Sequence, residues 1–289
     1  MIEITSLLDR RVADYAYIGQ ANWLRERGLF VAEGRFVVRR LFEARTLSVR
    51  SVLVTRVALA ALQDVLNQAG CPIYICEQDT MNQLAGFDFH RGCLALGERP
   101  PAIDPATRFQ SARCLLAVQG VGNPDNVGGL FRVAAAFRVG GILLDRTSGD
   151  PLYRKAIRTS MGAAFTVPFA QTEEWLDRLA EFRASGADLV ALTPDVSARD
   201  LSDYVSDRSP DRRIVLMLGA EGPGLSPEAL DAATSTVRIP IAPAVDSLNV
   251  VVAAAIALAA VVNEPAAKRS RSISASPSSA APSRDRRLT

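Results

Sequence analysis

The sequence predicts an α/β fold, with a parallel sheet in the second half of the chain and a small α/β unit before it. From residue 114 onward, short apolar runs typical of strands alternate with longer helical patterns, as they do in parallel sheets wrapped by helices. The run over 115–121 is nearly all apolar, which indicates a strand covered on both faces. With 289 residues and 48% hydrophobic content, the chain is long enough for one large or two ordinary domains.

The small unit is predicted over residues 1–97, where helical and β-branched segments are separated by turn residues. Its expected elements are helices over 13–27, 35–44 and 58–69 and strands over 52–55, 72–76 and 93–96. The dipeptide Glu33-Gly34 separates the first predicted helix from the second. Because consecutive prolines at 100 and 101 deny both helical and ladder hydrogen bonds, residues 98–112 are predicted to form a linker.

The second unit is predicted over residues 113–263, where strands and helices alternate. Its expected strands are 115–121, 141–144, 188–192, 214–218 and 236–241, and its expected helices are 126–138, 151–161, 173–185, 227–232 and 247–262. Residues 264–289 consist mainly of Ser, Ala, Pro and Arg. Since that composition cannot bury enough apolar area to offset the entropy of ordering, we expect a disordered basic tail there.

Composition argues against several classes of protein. The longest apolar run, over 250–262, is shorter than the roughly 20 residues of a membrane span, and an acidic residue within 1–6 argues against a signal peptide. We therefore expect a cytoplasmic protein with no membrane partner. The four cysteines lack the spacing of paired metal ligands, and His90 is the one histidine. We expect no metal site and free, buried thiols.

The net charge of +2 conceals a strongly basic segment. Residues 25–56 contain eight arginines against three glutamates. Clustered positive charge suits contact with phosphate groups. A solvated, arginine-rich helix face explains the same charge equally well, so charge alone does not decide between the two.

Three glycine- or proline-marked segments in the second half carry most of the functional information. They span 123–132, 218–226 and 239–250, and each follows or contains a short apolar run. Glycine and proline let the backbone turn sharply and approach a flat ligand closely. The Rossmann fingerprint and the Walker loop are both absent. The three segments therefore predict one nucleotide-like site built mostly from backbone.

A few polar side chains accompany these segments. Arg132 lies on an otherwise apolar helix, where a structural use of the side chain is more common than a functional one. Asn126 and Ser247 stand at predicted helix starts and are candidate N-caps. Asn249 lies in the first predicted turn of an apolar helix, so a buried amide there must find hydrogen-bond partners.

Together, the three segments resemble the motifs of the SpoU/TrmH family of SPOUT-class RNA methyltransferases. The matching positions are Asn126, Gly128 and Arg132 in the first motif, Gly219, Glu221 and Gly224 in the second, and Ile239-Pro240 with 247–250 in the third. The segment 154–162 resembles the family's Lys-x-x-Arg-x-Ser-x-Gly element. One departure is Val251, where the family often has serine. The N-terminal unit resembles the ribosomal-protein-like substrate-binding domain of many members, through 32–35 and 90–92.

The resemblance implies a deep trefoil knot in the second domain, a homodimer with the site near its interface, and S-adenosylmethionine as the cofactor. It implies methyl transfer to a ribose 2′-hydroxyl of RNA, with ribosomal RNA favoured over transfer RNA. The residues implied are Arg132, Asn126, Glu221, Ser247 and Asn249 for catalysis, Leu218, Gly219, Gly224, Ile239, Ile241 and Leu248 for the cofactor, and Arg25, Arg35, Arg39 and Arg158 for RNA. The alternatives are a non-catalytic RNA-binding or assembly factor and an enzyme that methylates a base nitrogen.

Arg132 corresponds to the residue that the family uses to activate the hydroxyl. Positioning of the reactants contributes about 7–11 kcal/mol at best, and a base or an anion stabiliser must supply the rest. Because a free guanidinium has a pKa above about 12, we expect Arg132 to stabilise the developing alkoxide rather than to abstract the proton.

Overall fold

The computed structural model describes residues 1–86, 88 and 90–262, which form two β-sheets with helices packed around them. The strands are β1 (Ile2–Glu3), β2 (Leu29–Glu33), β3 (Val49–Val54), β4 (Ile73–Ile75), β5 (Cys93–Glu98), β6 (Cys114–Gln119), β7 (Ile142–Asp145), β8 (Phe169–Thr172), β9 (Asp188–Leu192), β10 (Arg199–Asp200), β11 (Ile214–Gly219) and β12 (Ser235–Arg238). The α-helices are α1 (Ala21–Glu26), α2 (Arg35–Ala44), α3 (Arg56–Leu66), α4 (Gln78–Ala85), α5 (Pro105–Arg108), α6 (Pro124–Ala136), α7 (Arg154–Thr159), α8 (Trp175–Ala184), α9 (Leu201–Asp207), α10 (Pro227–Ala232) and α11 (Val250–Val262).

The second sheet has the strand order β10-β12-β9-β11-β6-β7-β8, and all of its neighbouring pairs are parallel. The predicted parallel α/β fold is therefore confirmed. Its central strands β6 and β11 are almost wholly buried, as their continuous apolar sequences indicate. Because the strands are parallel, the loops that follow β6, β9, β11 and β12 leave the sheet at one edge.

The first sheet is mixed and contacts the second half of the chain. Its order is β1-β4-β3-β5-β2, with β5 antiparallel to both neighbours. The rings of Phe30 and Phe165 lie 5.7 Å apart between centroids, and the Thr46 hydroxyl donates to the Phe165 carbonyl at 2.6 Å. One hydrophobic cluster runs through buried residues of both sheets, so the two sheets share a core.

Two adjacent glycines let α6 pack closely against a helix on either side. A Cβ at Gly128 would lie 2.5 Å from the Ala156 carbonyl oxygen of α7, and one at Gly129 would lie 2.7 Å from a methyl group of Val251 on α11. Neither position has room for a larger side chain. The first motif is thereby fixed against the helix that follows the third motif.

Several sequence-based boundaries were wrong. The predicted helix over 13–27 is instead a 3₁₀ segment, Arg10–Tyr17, followed by α1, because Gly19 separates the two. Strands β1, β2, β8 and β10 and helices α4 and α9 were missed. The predicted linker contains α5, which the Asp104 side chain caps through the amides of Ala106 and Thr107. Strand β12 ends at Arg238 rather than at 241, and the last helix begins at Val250 rather than at 247.

The structure also tests the expectations for the cysteines and for membrane-spanning helices. All four cysteines are free, but Cys71 and Cys114 are only half-buried, so the expectation of fully buried thiols holds for Cys76 and Cys93. The predicted tail, 264–289, lies outside the described residues. Across the described ranges, no helix combines the length and hydropathy that a membrane crossing requires.

Candidate functional site

The second and third glycine- or proline-marked segments line a cavity of about 510 Å³ at the edge of the second sheet. The first segment does not line it and reaches its rim through the contact of Asn126 with Asn249. The lining residues come from β9, β11, the loop after β12 and the first turn of α11. The six residues implied for cofactor binding all line it: Leu218, Gly219, Gly224, Ile239, Ile241 and Leu248. Glu221 and Ser247 also line it. The cavity size falls in the range of small-molecule sites.

The second segment doubles back on itself at one wall of the cavity. The Gly224 amide donates to the Ala220 carbonyl at 3.0 Å, and Gly222 and Gly224 have φ values of 89° and 72°. A Cβ at Gly219 would lie 2.1 Å from the Gly224 carbonyl carbon. Since only glycine fits this approach and these dihedrals without strain, the segment lines the cavity with backbone.

Asn249 joins all three segments. Its Nδ2 donates to Asn126 Oδ1 at 2.9 Å and to Glu221 Oε1 at 2.7 Å. Its Oδ1 accepts from the Val251 amide at 2.9 Å, and its carbonyl accepts from the Ala253 amide at 3.0 Å. Asn249 therefore caps α11, and its two side-chain N–H groups donate hydrogen bonds to the other two motifs.

This geometry corrects three sequence-based expectations. Asn249 precedes α11 and is exposed, rather than buried within its first turn, and it takes the capping role predicted for Ser247. Asn126 does not cap α6, because Asn123 does so through the Asp125 amide at 2.9 Å. Asn126 is instead a buried residue of the first turn, 7% exposed, whose side chain accepts from Asn249.

Arg132 lies apart from this hydrogen-bonded group. It is six residues beyond Asn126 on α6, which places it about 9 Å further along the helix axis and about a third of a turn around it. Its side chain is exposed and, among the described residues, makes no hydrogen bond or ion pair. Arg132 is also absent from the lining of the cavity. A single chain therefore brings together four of the five implied catalytic residues at or beside the cavity, and Arg132 projects elsewhere.

The four arginines implied for RNA binding occupy different settings. Arg25 and Arg35 are exposed. Arg39 is half-buried, and its guanidinium donates to Asp64 and to the Ala61 carbonyl. The Asp64 hydrogen bond raises the pKa of Arg39, and the same contact lowers the pKa of Asp64. Because its donors are engaged within the chain, Arg39 is the weakest of the four candidates for binding RNA.

Sequence reasoning named Arg158, the fourth candidate for RNA binding, but missed the arginine group to which it belongs. Arg91 and Arg154 approach Glu33 together with Arg158. All four lie in motif-like segments of the sequence, 32–35, 90–92 and 154–162, but the segments are far apart along the chain. The packing of α7 against β2 and the pairing of β5 with β2 bring them together.

Asp145 connects the loop that precedes α6 to the loop after β7. Its Oδ1 accepts from the amides of Gly120 and Ser148, each at 2.9 Å, and its Oδ2 accepts from the Thr147 hydroxyl at 2.5 Å. Burial raises the pKa of Asp145, but the hydrogen bonds from Gly120, Ser148 and Thr147 outweigh it and hold this pKa below its usual range. The ionised carboxylate therefore anchors the start of the first motif.

Metal-ligating side chains do not gather at the site. Within the described ranges, no three histidine, cysteine, aspartate or glutamate side chains lie close enough to hold a metal ion. The polar side chains that line the cavity are instead the carboxylates of Glu221 and Asp246 and the hydroxyls of Thr193 and Ser247, which suit recognition by hydrogen bonding.

Comparison with known proteins identifies the family to which the chain belongs. The model of the SpoU rRNA methylase family matches residues 113–259, just over half of the chain, and includes all three segments. An uncharacterized tRNA/rRNA methyltransferase of Mycobacterium bovis is 38% identical over 231 residues, which is 80% of each protein. The 23S rRNA (guanosine-2′-O-)-methyltransferase RlmB of Acinetobacter baylyi is 30% identical over 206 residues, covering 68% of this chain and 82% of that protein.

A solved structure shares the fold over most of the chain. The AdoMet-bound rRNA methyltransferase from Sinorhizobium meliloti matches with a TM-score of 0.75, covering 90% of this chain and 96% of that chain at 24% identity. The match to the family model covers the segments that form the cavity and the Asn249 contacts. The motif resemblance is thereby confirmed, and the chain belongs to the SpoU rRNA methylase family of RNA methyltransferases.

Proposed function

We propose that this protein transfers a methyl group from S-adenosylmethionine to a ribose 2′-hydroxyl in ribosomal RNA. The observation that carries the proposal is the pair of hydrogen bonds from Asn249 to Asn126 and Glu221 beside the cavity. These contacts unite the polar residues of three motifs at one place. The relative from Acinetobacter baylyi, named for guanosine 2′-O-methylation of 23S rRNA, supports the choice of ribose and of ribosomal RNA.

The cavity suits S-adenosylmethionine in its chemistry. Leu218, Ile239, Ile241 and Leu248 supply apolar side chains for the faces of an adenine ring, and Gly219 and Gly224 expose backbone for its polar edge. The structure from Sinorhizobium meliloti, which shares the fold, is an AdoMet-bound protein. When bound, the cofactor supplies an electrophilic methyl group on a sulfonium centre.

The residues of the chain then have separate roles. Asn126, Glu221 and Asn249 hold one another and orient the ribose, with Ser247 at the cavity wall. The hydroxyl that would accept the methyl group from the bound cofactor must lose its proton, which would pass to solvent. Arg132 stabilises the negative charge that develops on the hydroxyl oxygen, as a preorganised cation does for an oxyanion.

A homodimer would account for the isolation of Arg132. Helix α11 carries no polar side chain, yet Val252 and Ile256 are 47% and 40% exposed on one of its faces. A second copy of the chain covering this face would bury both residues. Because α6 packs against α11, Arg132 would lie near the interface and could act at the partner's cavity. The implied deep trefoil knot would involve the loop between β12 and α11, which forms part of the cavity wall.

The proposal is tested with ribosomal RNA from cells that lack the gene. The purified protein and S-adenosylmethionine should produce a 2′-O-methylnucleoside, identified by mass spectrometry of a nucleoside digest. A base-methylated nucleoside would assign the protein to base modification instead. Methyl transfer to no RNA, together with no cofactor binding by calorimetry, would favour a non-catalytic assembly factor.

A further inference from the structure

Glu33 lies at the end of β2 under three arginines that come from both halves of the chain. Its Oε1 is 3.4 Å from Arg91 Nε and 3.9 Å from Arg158 Nη1, and its Oε2 is 3.2 Å from Arg154 Nη1. Arg91 immediately precedes the turn into β5, and the other two arginines are one turn apart on α7. The carboxylate therefore gathers guanidinium groups from the first sheet and from the second domain.

Burial separates the carboxylate from the arginines around it. The Glu33 side chain is 7% exposed, whereas those of Arg91, Arg154 and Arg158 are 50%, 27% and 42% exposed. Gly34, with a φ of 91°, follows Glu33, and a Cβ there would lie 3.0 Å from Arg91 Cδ. The glycine lets the Arg91 side chain lie across the turn, so that the carboxylate is covered and the guanidinium groups face outward.

Charge and hydrogen-bonding capacity both exceed what Glu33 requires. Glu33 and the neighbouring Asp125 carry two negative charges against the four positive charges of Arg91, Arg154, Arg158 and Lys155. The guanidinium groups of Arg91 and Arg158, whose side chains are 50% and 42% exposed, offer roughly ten N–H donors to a carboxylate with about four lone-pair positions. A single ion pair would be enough to neutralise a buried carboxylate. The group therefore keeps positive charge and donors directed to solvent, as a phosphate-binding site requires.

The same helix connects this group to the candidate site. Arg154 and Arg158 face Glu33 from α7, while Lys155 pairs with Asp125 at 2.7 Å and Thr159 donates to Asp125 at 3.0 Å. Asp125 is the neighbour of Asn126, which Asn249 contacts. One short helix thus separates the arginines from the motif contacts beside the cavity.

The basic surface also continues away from the cavity. A cleft of about 270 Å³ is lined by Arg35, Arg56, His90 and Arg91 together with the acidic Glu77, and Arg56 is paired with Glu3. Arg91 belongs both to this cleft and to the group around Glu33. Arginine side chains are therefore present both at this cleft and on α7, which suits an RNA backbone that carries one negative charge per nucleotide.

We propose that Arg91, Arg154 and Arg158 form a phosphate-binding site for RNA, and that Glu33 is the positioning residue that holds them. This site rests on the proposed function, since its ligand is the backbone of the RNA that is methylated. Its occupant is a phosphodiester close to the target nucleotide. Glu33 does not touch the RNA, because its side chain is buried beneath the arginines.

The test measures binding of a fluorescein-labelled single-stranded RNA oligonucleotide across a series of salt concentrations. Arg91→Gln and Arg158→Gln should each weaken binding and reduce the slope of log affinity against log salt by about 0.7, the value for one phosphate contact on a single strand. Arg113→Gln is the matched control. Arg113 is 72% exposed and also ion-paired, but it precedes β6 and so lies at the opposite edge of the parallel sheet. The affinity and the salt slope of this variant should equal those of the wild type.

Glu33→Gln separates positioning from simple charge. It removes a negative charge, which by long-range electrostatics alone would tighten RNA binding. The proposal predicts weaker binding and a smaller salt slope, because the arginines lose their common partner. Glu33→Asp, which keeps the charge, should restore part of the affinity. Tighter binding by Glu33→Gln would overturn the positioning role.

The two arginine variants remain informative if the Glu33 variants do not fold. If wild-type protein methylates RNA and both arginine variants keep the wild-type salt slope, the phosphate site is wrong and the proposed function stands. If wild-type protein neither binds the oligonucleotide nor methylates ribosomal RNA, the proposed function itself is wrong and the site falls with it.

Discussion

Val251 occupies the space that a side chain at Gly129 would need. A Cβ built at Gly129 lies 2.7 Å from Val251 Cγ2 and 3.0 Å from its Cγ1. The valine on α11 therefore fits only because α6 has no side chain at position 129. The pair sits next to Asn249 and therefore sets how closely the first and third motifs approach.

Gly129→Ala should destabilise the protein by about 1–3 kcal/mol, since overpacking forces a shift of side chains or backbone. Urea unfolding measures the free energy. The double variant Gly129→Ala with Val251→Ser should recover most of the loss, because the smaller side chain makes room. If the effects of the two single changes simply add, the contact does not limit the packing of α6 on α11.

Asn249→Asp should separate the capping role of this residue from its motif contacts. Aspartate caps helices as well as asparagine does, so the stability of α11 should be kept. The two N–H donors are lost, however, and a second carboxylate is placed beside Glu221. We expect a large drop in methyl transfer at nearly unchanged thermal stability. Asn249→Ala, which loses both roles, should be less stable by about 0.5–2 kcal/mol.

Arg132→Ala should abolish methyl transfer and leave cofactor binding almost unchanged, because Arg132 does not line the cavity. Its side chain is exposed and makes no polar contact within the described residues, so stability should change by no more than about 0.5 kcal/mol. Calorimetry with S-adenosylmethionine and a turnover assay measure the two effects. Arg132→Lys keeps the charge and should retain little activity if the planar guanidinium is required. Near-normal turnover by the alanine variant would show that the assigned role is wrong.

Asp145→Asn should reveal a pH-dependent contribution to stability. The folded-state pKa of Asp145 is lowered, so its ionised form stabilises the fold above the unfolded value of about 3.9. That contribution is lost as the pH falls through the lower folded-state value. The difference in unfolding free energy between wild type and variant should therefore be full at neutral pH and shrink under acidic conditions. A difference that grows on acidification would contradict this assignment.

The bounds of helices and strands were predicted correctly where neighbouring residues in the sequence determine them. Strand β9 and helices α2 and α10 have the predicted bounds, because an apolar run, a glycine and a serine-proline cap define them directly. The six cavity residues were found from motif resemblance, and the fold brought them to one cavity. The cap of α11 was misplaced because serine and asparagine are equally good caps by sequence. Asn249 is identified as the cap only by the structure, in which Asn126 and Glu221 lie close enough to accept hydrogen bonds from its side chain.

The arginines around Glu33 show the opposite case. Each stands in a segment with a recognisable pattern, yet the sequence contains no sign that the segments meet. Contacts between residues 33 and 154 depend on how β2 lies against α7, which is a tertiary relationship. Likewise, Arg39 is an exposed cation by sequence, and only the position of α3 shows that Asp64 engages it.

The shared core around Phe30 and Phe165 has a consequence for how the chain unfolds and selects RNA. A single hydrophobic cluster that spans both sheets couples their stabilities, so denaturation should proceed as one cooperative transition rather than two. For the same reason, the distance from the arginines to the cavity is set by packing and not by a tether. An RNA that engages both places must match that distance in its own shape, which makes tertiary structure of the substrate part of its recognition.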